Sequence, residues 1–405
     1  MRQESGDGMR VDLDPAGLRA AVADPEQPVR AAAVSGGRAL VWDSANTSAL
    51  LTARALCRRG WTVDWIGSTV SPWRKSPFFN GEQTVISGPG DAQLQPLFAR
   101  HPLDALFLHG DDHVRWMLEH WDSVPRAHQH LAPPAALQTA LSKEKSAELA
   151  RRLGVPVLPT EVCTSVEAVA GAGTRLAPGV EMVLKGEGGA AGAAMAALHG
   201  GQRPDVETWN RVTRFAPTVL VQRRIHGPRV FMSVVYRHGV ELAACAHEKA
   251  ATFPHHFGPT AFGVTRHVPE VHDYACRMFE ALRWHGPANI EFRQDLADGT
   301  WYFMEINPRM GASMGIQDAA GLDLAGTWAE ASAGRALTPP PGDTYRDGVH
   351  YAWAVRGLAL AFRRPWHLPA WGLRCVFGPN SDLAALDAPL RRRALRLALW
   401  TARHG

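Results

Sequence analysis

Apolar residues first cluster at Arg38-Ala39-Leu40-Val41-Trp42-Asp43, a run short enough to predict a buried strand rather than a helix. Residues 48–59 then carry helical spacing stopped by Gly60, and residues 62–67 return to a strand pattern, giving a β-α-β opening. A further buried strand is predicted at 103–108, ending at Gly110-Asp111-Asp112. Ligand loops in such sheets gather at strand carboxyl ends, which makes Asn46, Asp111 and Asp112 weak substrate candidates. The first turn reads Ser44-Ala45-Asn46-Thr47 and lacks a dinucleotide-type glycine motif. After the boundary at Pro133-Pro134, Ser142 can cap a helix reaching Leu153, ended by Gly154 and Pro156. Strands are expected at 156–163, 180–185, 218–222 and 230–236, and a basic helix at 389–401.

The most informative pattern lies at residues 286–309. Gly-Pro-Ala-Asn-Ile-Glu-Phe-Arg (286–293) and Tyr-Phe-Met-Glu-Ile-Asn-Pro-Arg (302–309) read as a hairpin. With a strand period of two, Glu305 and Asn307 share one face, while Tyr302, Met304 and Ile306 are expected to pack behind it. Glu291 offers a third hard oxygen ligand of the kind Mg²⁺ prefers, and Arg309 adds a planar fork of donors for phosphate oxygens. Registry sets a condition. A two-residue Asp298-Gly299 turn would pair Glu291 with Ile306 and split the carboxylates between faces. A three-residue loop 297–299, with Gly299 left-handed, pairs Glu291 with Glu305. The bland alternative is an amphipathic hairpin with a solvated acidic face.

Composition narrows the class. A length of 405 residues suits two or three domains, and a net charge of +4 is too small to argue for nucleic acid. The chain has only five lysines (75, 143, 145, 185 and 249) against 38 arginines, so each lysine marks a place where a compact ammonium is useful. Cys57, Cys163, Cys245, Cys276 and Cys375 show no CxxC or Cys/His ligand spacing and are read as reduced core thiols of a cytoplasmic protein. Residues 1–35 lack the apolar run of a secretory signal and read as a loosely ordered leader. Arg356 interrupts the best candidate for a membrane span, residues 349–362.

Val183-Leu184-Lys185-Gly186-Glu187-Gly188-Gly189-Ala190-Ala191-Gly192 is a strand followed by a glycine-rich loop whose amides can approach phosphate. Alone it is a weak signal, and a plain flexible loop is the favoured reading. Its place in the series is more specific: Ser142-Lys143 and Gly154-Val155-Pro156, then Lys185, then Gln222-Arg223-Arg224-Ile225-His226-Gly227, then Glu291 with Glu305-Ile306-Asn307-Pro308-Arg309. This ordered set resembles the ATP-grasp superfamily over roughly residues 38–335, and most closely its carboligase-like carboxylate–amine ligases.

The resemblance implies an α/β fold with α+β lobes: a leader at 1–35, a Rossmann-like pre-ATP-grasp domain at 36–135, a small lobe at 136–215, a large lobe with the metal site at 216–338, and a C-terminal extension at 339–405. It implies ATP with Mg²⁺ or Mn²⁺. Lys143, Lys185, Gly188 and Gly189 would hold phosphates, and the Gln222-Arg223-Arg224-Ile225 hinge would read adenine. Glu291, Glu305 and Asn307 would bind metal, and Arg309 would steady the transferred phosphoryl group. Lys143 is preferred to Lys145 from its distance to Gly154. Relatives often place an acidic ribose ligand after the hinge glycine, where Pro228-Arg229 stand here, leaving Glu187 or His226 for that contact.

The implied chemistry activates a small-molecule carboxylate as an acyl phosphate and passes it to an amine, releasing ADP and phosphate, with a place in specialised metabolism. Residues 247–258, with Lys249, His255 and His256, are expected to form the substrate loop or an incidental surface loop, Lys249 being the catalytic candidate. Arg266, residues 310–313 and Asp323 are further acceptor-pocket candidates. Alternatives are a bicarbonate, thiol or hydroxyl acceptor, or a non-catalytic ATP-binding module. The tail, with Trp353, Trp366 and Trp371 beside Arg363, Arg364 and Arg374, reads as a docking segment against the body or a homodimer partner in preference to a membrane contact.

Overall fold

Short apolar runs punctuated by glycine and proline become fourteen strands in three sheets in a computed structural model, which describes residues 36–100, 103–186, 192–254, 257–335, 337 and 345–404. The expectations for the 1–35 leader, for Glu187, Gly188 and Gly189, and for His255 and His256 lie outside the described residues. Residues 36–405 form one compact unit.

The first sheet is parallel, in the order β3-β2-β1-β4, from β1 (Arg38–Trp42), β2 (Thr62–Gly67), β3 (Gln83–Val85) and β4 (Ala105–Leu108). Strands β1, β2 and β4 are buried on both faces, which is why they read as largely apolar runs, whereas the edge strand β3 is mostly exposed. Helix Thr47–Arg58 begins at Asn46, whose side chain accepts from the Ser48 amide. Asn46 is therefore a helix cap, with its amide nitrogen bonded to Ser44 Oγ, and the reading of it as a substrate residue is corrected.

The second sheet holds β5 (Thr160–Cys163), β6 (Glu181–Gly186), β7 (Met195–His199) and β8 (Val219–Arg223), in the antiparallel order β5-β8-β6-β7. The strand expected to start at Pro156 begins only at Thr160, since two prolines (156 and 159) deny ladder donors before it. Ser142 caps helix Lys143–Arg152 through the Lys145 amide, and Gly154 takes a positive φ of 69° just beyond it.

The third sheet has six strands, in the order β13-β12-β9-β10-β11-β14: β9 (Arg229–Arg237), β10 (Val240–Thr252), β11 (Thr260–Thr265), β12 (Gly286–Gln294), β13 (Trp301–Asn307) and β14 (His350–Ala352). The C-terminal segment thus supplies an edge strand, and helix Ala388–His404 packs Leu390, Ala394, Ala398 and Ala402 into a core shared with Leu50, Phe262 and Trp328. Trp328 also donates its indole N–H to the Leu106 carbonyl at 3.1 Å, tying helix Leu324–Ser332 to the first sheet. Trp353 is buried and Trp366 exposed, while Trp371 stacks on His350 at 4.3 Å. No helix among the described residues is long and apolar enough to cross a membrane.

Two sequence readings change here. Residues 247–252 are not a surface loop: they complete β10, and His247 is buried between Phe231 and Trp353. All five cysteines are free, but only Cys163 and Cys245 are buried core thiols, while Cys57, Cys276 and Cys375 are half-exposed.

Candidate functional site

Strand register gathers the site on one face of the third sheet. Glu291 lies opposite Glu305 on β13 and opposite Phe231 on β9, and Phe231 lies opposite His247 on β10. Stepping by two from these positions brings Asn289, Arg293, Arg229, Lys249 and Asn307 to the same face. The pairing of Glu291 with Glu305 is the one metal binding requires, but its origin differs from the expected three-residue loop. Near the turn Gln294 pairs with Trp301 and Phe292 with Phe303, and Asp295 N–H donates to the Thr300 carbonyl, so four residues (296–299) form the turn. Gly299 does take a positive φ, 75°. The one-residue shift occurs at a bulge between the Phe292 and Glu291 pairs, where Met304 is the extra residue. For the same reason the residues packing behind the strand are Trp301, Phe303 and Ile306, whereas Tyr302 and Met304 are half-exposed.

Glu291 makes an ion pair with Lys249, both side chains being about nine-tenths buried. Lys249 also lies 5.0 Å from the Phe231 ring centroid. Burial opposes the Glu291 charge, but Lys249, Arg229 and Lys185 together hold its carboxyl below the usual range. Burial lowers the Lys249 pKa, with Glu291 acting in the opposite direction. His247 is pushed down to about 3 by burial and by Lys249, which leaves it neutral and a weak base at neutral pH.

Between helix Lys143–Arg152 and the second sheet lies a cavity of about 290 Å³, lined by Lys143, Thr160, Lys185, Gln222, Phe303 and Met304 among others. Lys143 lines it and Lys145 does not. Lys185 points across to Met304, its ammonium 3.8 Å from the sulfur. Burial and the neighbouring Lys143 depress its pKa to about 8 against the opposing pull of Glu305. Gln222 donates to Thr160 Oγ1 at 2.7 Å, while its own Oε1 is buried without a partner. At the end of β8, Arg223 pairs with Asp295 at 2.7 Å, and just beyond it Ile225 is buried, which holds the 222–225 hinge between the sheets.

The carboxyl end of β4 meets the end of β13. Arg309 Nε donates to Asp111 Oδ1 at 2.7 Å, and its Nη2 donates to Asn307 Oδ1 at 3.2 Å. Met310 N–H donates to the Leu108 carbonyl at 3.1 Å, so the backbone after β13 is bound to the first sheet. Behind this corner Asn289 donates to the Arg309 carbonyl and accepts from Ser233, which contacts Ser313 at 2.9 Å. Ser313 thus belongs to a buried network.

Other acceptor-pocket candidates are occupied structurally. Asp323 caps helix Leu324–Ser332 and pairs with Arg59 at 2.6 Å, and the half-exposed Arg266 lies 3.4 Å from Glu248. His226 lies 3.6 Å from Glu181.

Sequence reasoning noted Arg229 only as a departure after the hinge and overlooked Arg293, although the alternation that placed Glu305 and Asn307 also places both. Arg293 Nε is buried without a partner, and burial with Arg229 and Arg224 lowers its pKa to about 10. His109 and His113 were also overlooked. His109 Nδ1 contacts Ser48 Oγ at 2.8 Å while its Nε2 is unpaired, and burial lowers its pKa well below the ordinary value. No local pattern marks them, because their burial depends on the packing of helix Asp111–Glu119 against Trp42.

The chemistry of these residues fits a metal–triphosphate: two paired carboxylates and an amide oxygen are hard ligands, Lys143, Lys185, Arg229 and Arg293 bring positive charge of the kind that would balance phosphates, and Gln222 Oε1 and Arg293 Nε are buried polar atoms without a protein partner.

Residues 215–354 match the family described as ATP-grasp in the biosynthetic pathway with Ter operon. The biotin carboxylase domain of Hydrogenobacter thermophilus 2-oxoglutarate carboxylase, solved with MgADP, ADP and bicarbonate, superposes with a TM-score of 0.62 at 15% identity, covering 77% of this chain and 73% of that one. Staphylococcus aureus N5-carboxyaminoimidazole synthetase with ADP gives 0.60 at 14% identity, over 74% and 78%. Campylobacter jejuni biotin carboxylase with a β-γ-ATP ligand gives 0.58 at 18% identity, over 77% and 74%. At these identities the likeness is one of fold. No curated protein matches the chain.

Proposed function

We propose that this chain, whose residues 215–354 match an ATP-grasp family, is an ATP-dependent ligase of the ATP-grasp superfamily that activates a small-molecule carboxylate as an acyl phosphate and joins it to an amine. The carrying observation is the cross-strand pair Glu291–Glu305, bordered by Asn307 and facing Lys185 and Lys249. ATP occupies the cavity under helix Lys143–Arg152, with adenine near the Gln222–Ile225 hinge and phosphates directed toward Lys143 and Lys185. Glu291, Glu305 and Asn307 would hold Mg²⁺, which would supply neutralisation of the charge developing on the phosphates.

The substrate carboxylate attacks the γ-phosphorus, forming a C–O–P linkage as the bond to the ADP oxygen breaks. The amine then attacks the acyl carbon, phosphate departs, and the amine gives up a proton. Arg309, held by Asp111 and Asn307, steadies the transferred phosphoryl group. Lys249 orients the acyl oxygens from the far side of Glu291. Arg229 occupies the post-hinge position and adds positive charge where relatives often use a ribose-binding carboxylate. A biosynthetic role is supported by the description of the matching family.

A carboxylating variant, with bicarbonate as the activated carboxylate, is favoured by the bicarbonate-bound carboxylase among the similar structures. Incubation with Mg²⁺-ATP and a panel of carboxylates and amines tests both. ADP and phosphate formed in equal amounts only when a carboxylate and an amine are present supports ligation. Strict bicarbonate dependence selects carboxylation, and stoichiometric AMP with pyrophosphate overturns the acyl-phosphate route.

A further inference from the structure

At the end of β10 remote from Lys249, three side chains of different chemistry converge. Glu241 follows the hairpin turn at 238–239, while His272 and Cys276 stand four residues apart on one face of helix Pro269–Ala281. Their donor atoms lie within 4.8 Å of one another. His272 Nε2 is 3.0 and 3.1 Å from the two Glu241 oxygens, Cys276 Sγ is 3.5 Å from Glu241 Oε2, and Cys276 Sγ is 3.7 Å from His272 Nε2.

We propose that Glu241, His272 and Cys276 form a zinc-binding site that clips helix Pro269–Ala281 to the β9–β10 hairpin. Ordinary zinc–ligand lengths at a tetrahedral angle put S and N about 3.6 Å apart, S and O about 3.5 Å, and N and O about 3.3 Å. The observed separations match these to within a few tenths of an ångström, so an ion fits between the three donors with little rearrangement. The donor set chooses the metal: thiolate and imidazole favour zinc over the Mg²⁺ of the nucleotide site. One carboxylate and one thiolate neutralise a divalent charge, and zinc binding releases the thiol proton.

Tyr236 is fully buried behind the cluster and donates to Glu241 Oε2 at 2.9 Å, also lying 3.5 Å from Cys276 Sγ, so it orients the carboxylate. On the other side His272 is exposed, giving the ion a path in and leaving room for water as fourth ligand. Eight residue steps along β10 separate Glu241 from Lys249, roughly 25 Å of strand, so this site is distinct from the nucleotide site. The spacing His272-x-x-x-Cys276 is present in the sequence, and the reading that no Cys/His ligand spacing occurs is corrected. Only the fold supplies Glu241.

A simple His272–Glu241 ion pair would not need Cys276, which separates the two descriptions. Full-length protein stripped with a chelator is titrated with Co²⁺ and then Zn²⁺. The expected result is one cobalt per chain with a thiolate-to-cobalt charge-transfer band, displaced by zinc, together with a zinc-dependent rise in melting temperature. The band is lost in Cys276→Ser and in His272→Gln but kept in Cys57→Ser and Cys375→Ser, and Tyr236→Phe weakens cobalt binding about tenfold. His272→Gln serves if Cys276→Ser fails to fold, and circular dichroism establishes folding of each variant. Absence of the band in the unsubstituted protein, or its persistence in a folded Cys276→Ser or His272→Gln chain, overturns the site.

Discussion

Glu291 and Glu305 face each other directly across β12 and β13 because Met304 is an extra residue in the ladder. Two carboxylates at such a position repel one another unless cations share the space. Lys249 supplies one positive charge, and a metal ion would supply the rest. Glu305→Gln is therefore expected to leave the fold intact and lower turnover on the order of 100-fold or more, because an amide oxygen neutralises little metal charge. ADP release measured across Mg²⁺ concentrations checks this; near-normal rates would remove Glu305 from the metal site.

The bulge also relocates the sensitivity of the hairpin. Gly299 has a left-handed φ, but a Cβ there meets nothing within 4 Å. Gly299→Ala should cost about 1 kcal/mol of stability through backbone strain alone. Turnover should be unchanged, since the parity shift lies at Met304. Chemical denaturation and ADP release measured on the same preparation separate these effects. A collapse in activity would mean that the turn sets the ligand register after all.

Lysine placement gives a paired comparison. Lys185 lies in the cavity wall beside Met304, whereas Lys75 is exposed. Lys185→Arg keeps the charge but puts a broad planar group where a compact one fits, and ATP affinity should fall about tenfold or more. Lys75→Arg should be neutral. Isothermal calorimetry with a non-hydrolysable ATP analogue gives both affinities, and equal behaviour of the two variants would reject the phosphate role of Lys185.

The depressed pKa of Lys185, about 8, has a measurable sign. Below that pH the ammonium is already charged. Above it the free site is increasingly neutral, and bound triphosphate restores the charged form. Binding of the analogue should take up a fraction of a proton near pH 8, and its affinity should weaken as pH rises further. Heats measured in buffers of different ionisation enthalpy report the uptake, and Lys185→Arg should abolish it.

Arg309, just past the end of β13, reaches Asp111 at the start of the helix that follows β4. Asp111→Asn retains a hydrogen-bond acceptor but loses the charge, and the half-exposed setting limits the cost to about 1 kcal/mol, or about fivefold in rate. Because Arg309 is proposed to act on the phosphoryl group in flight, the loss should fall on kcat more than on the KM for ATP. A pure KM effect would place Arg309 at nucleotide binding instead.

Local chemistry in the chain was enough to locate much of this architecture. Asn46 and Ser142 start helices, Gly60 and Gly154 follow their ends with left-handed φ, and continuous apolar runs become doubly buried parallel strands. Period-two alternation likewise put Glu305 beside Asn307, because side-chain direction in a strand depends only on neighbouring residues. Register does not. Nothing local distinguishes a bulge at Met304 from an odd-length turn, and the choice depends on fitting Trp301, Phe303 and Ile306 into one core while Glu305 faces the opposite side. Similarly, Lys249 meets Glu291 because β9 lies between β10 and β12, Asp111 meets Arg309 because two sheets abut, and Glu241 meets His272 and Cys276 because a helix packs on a hairpin. Such long-range juxtapositions arise only when buried surfaces close on one another, so tertiary packing alone decided them.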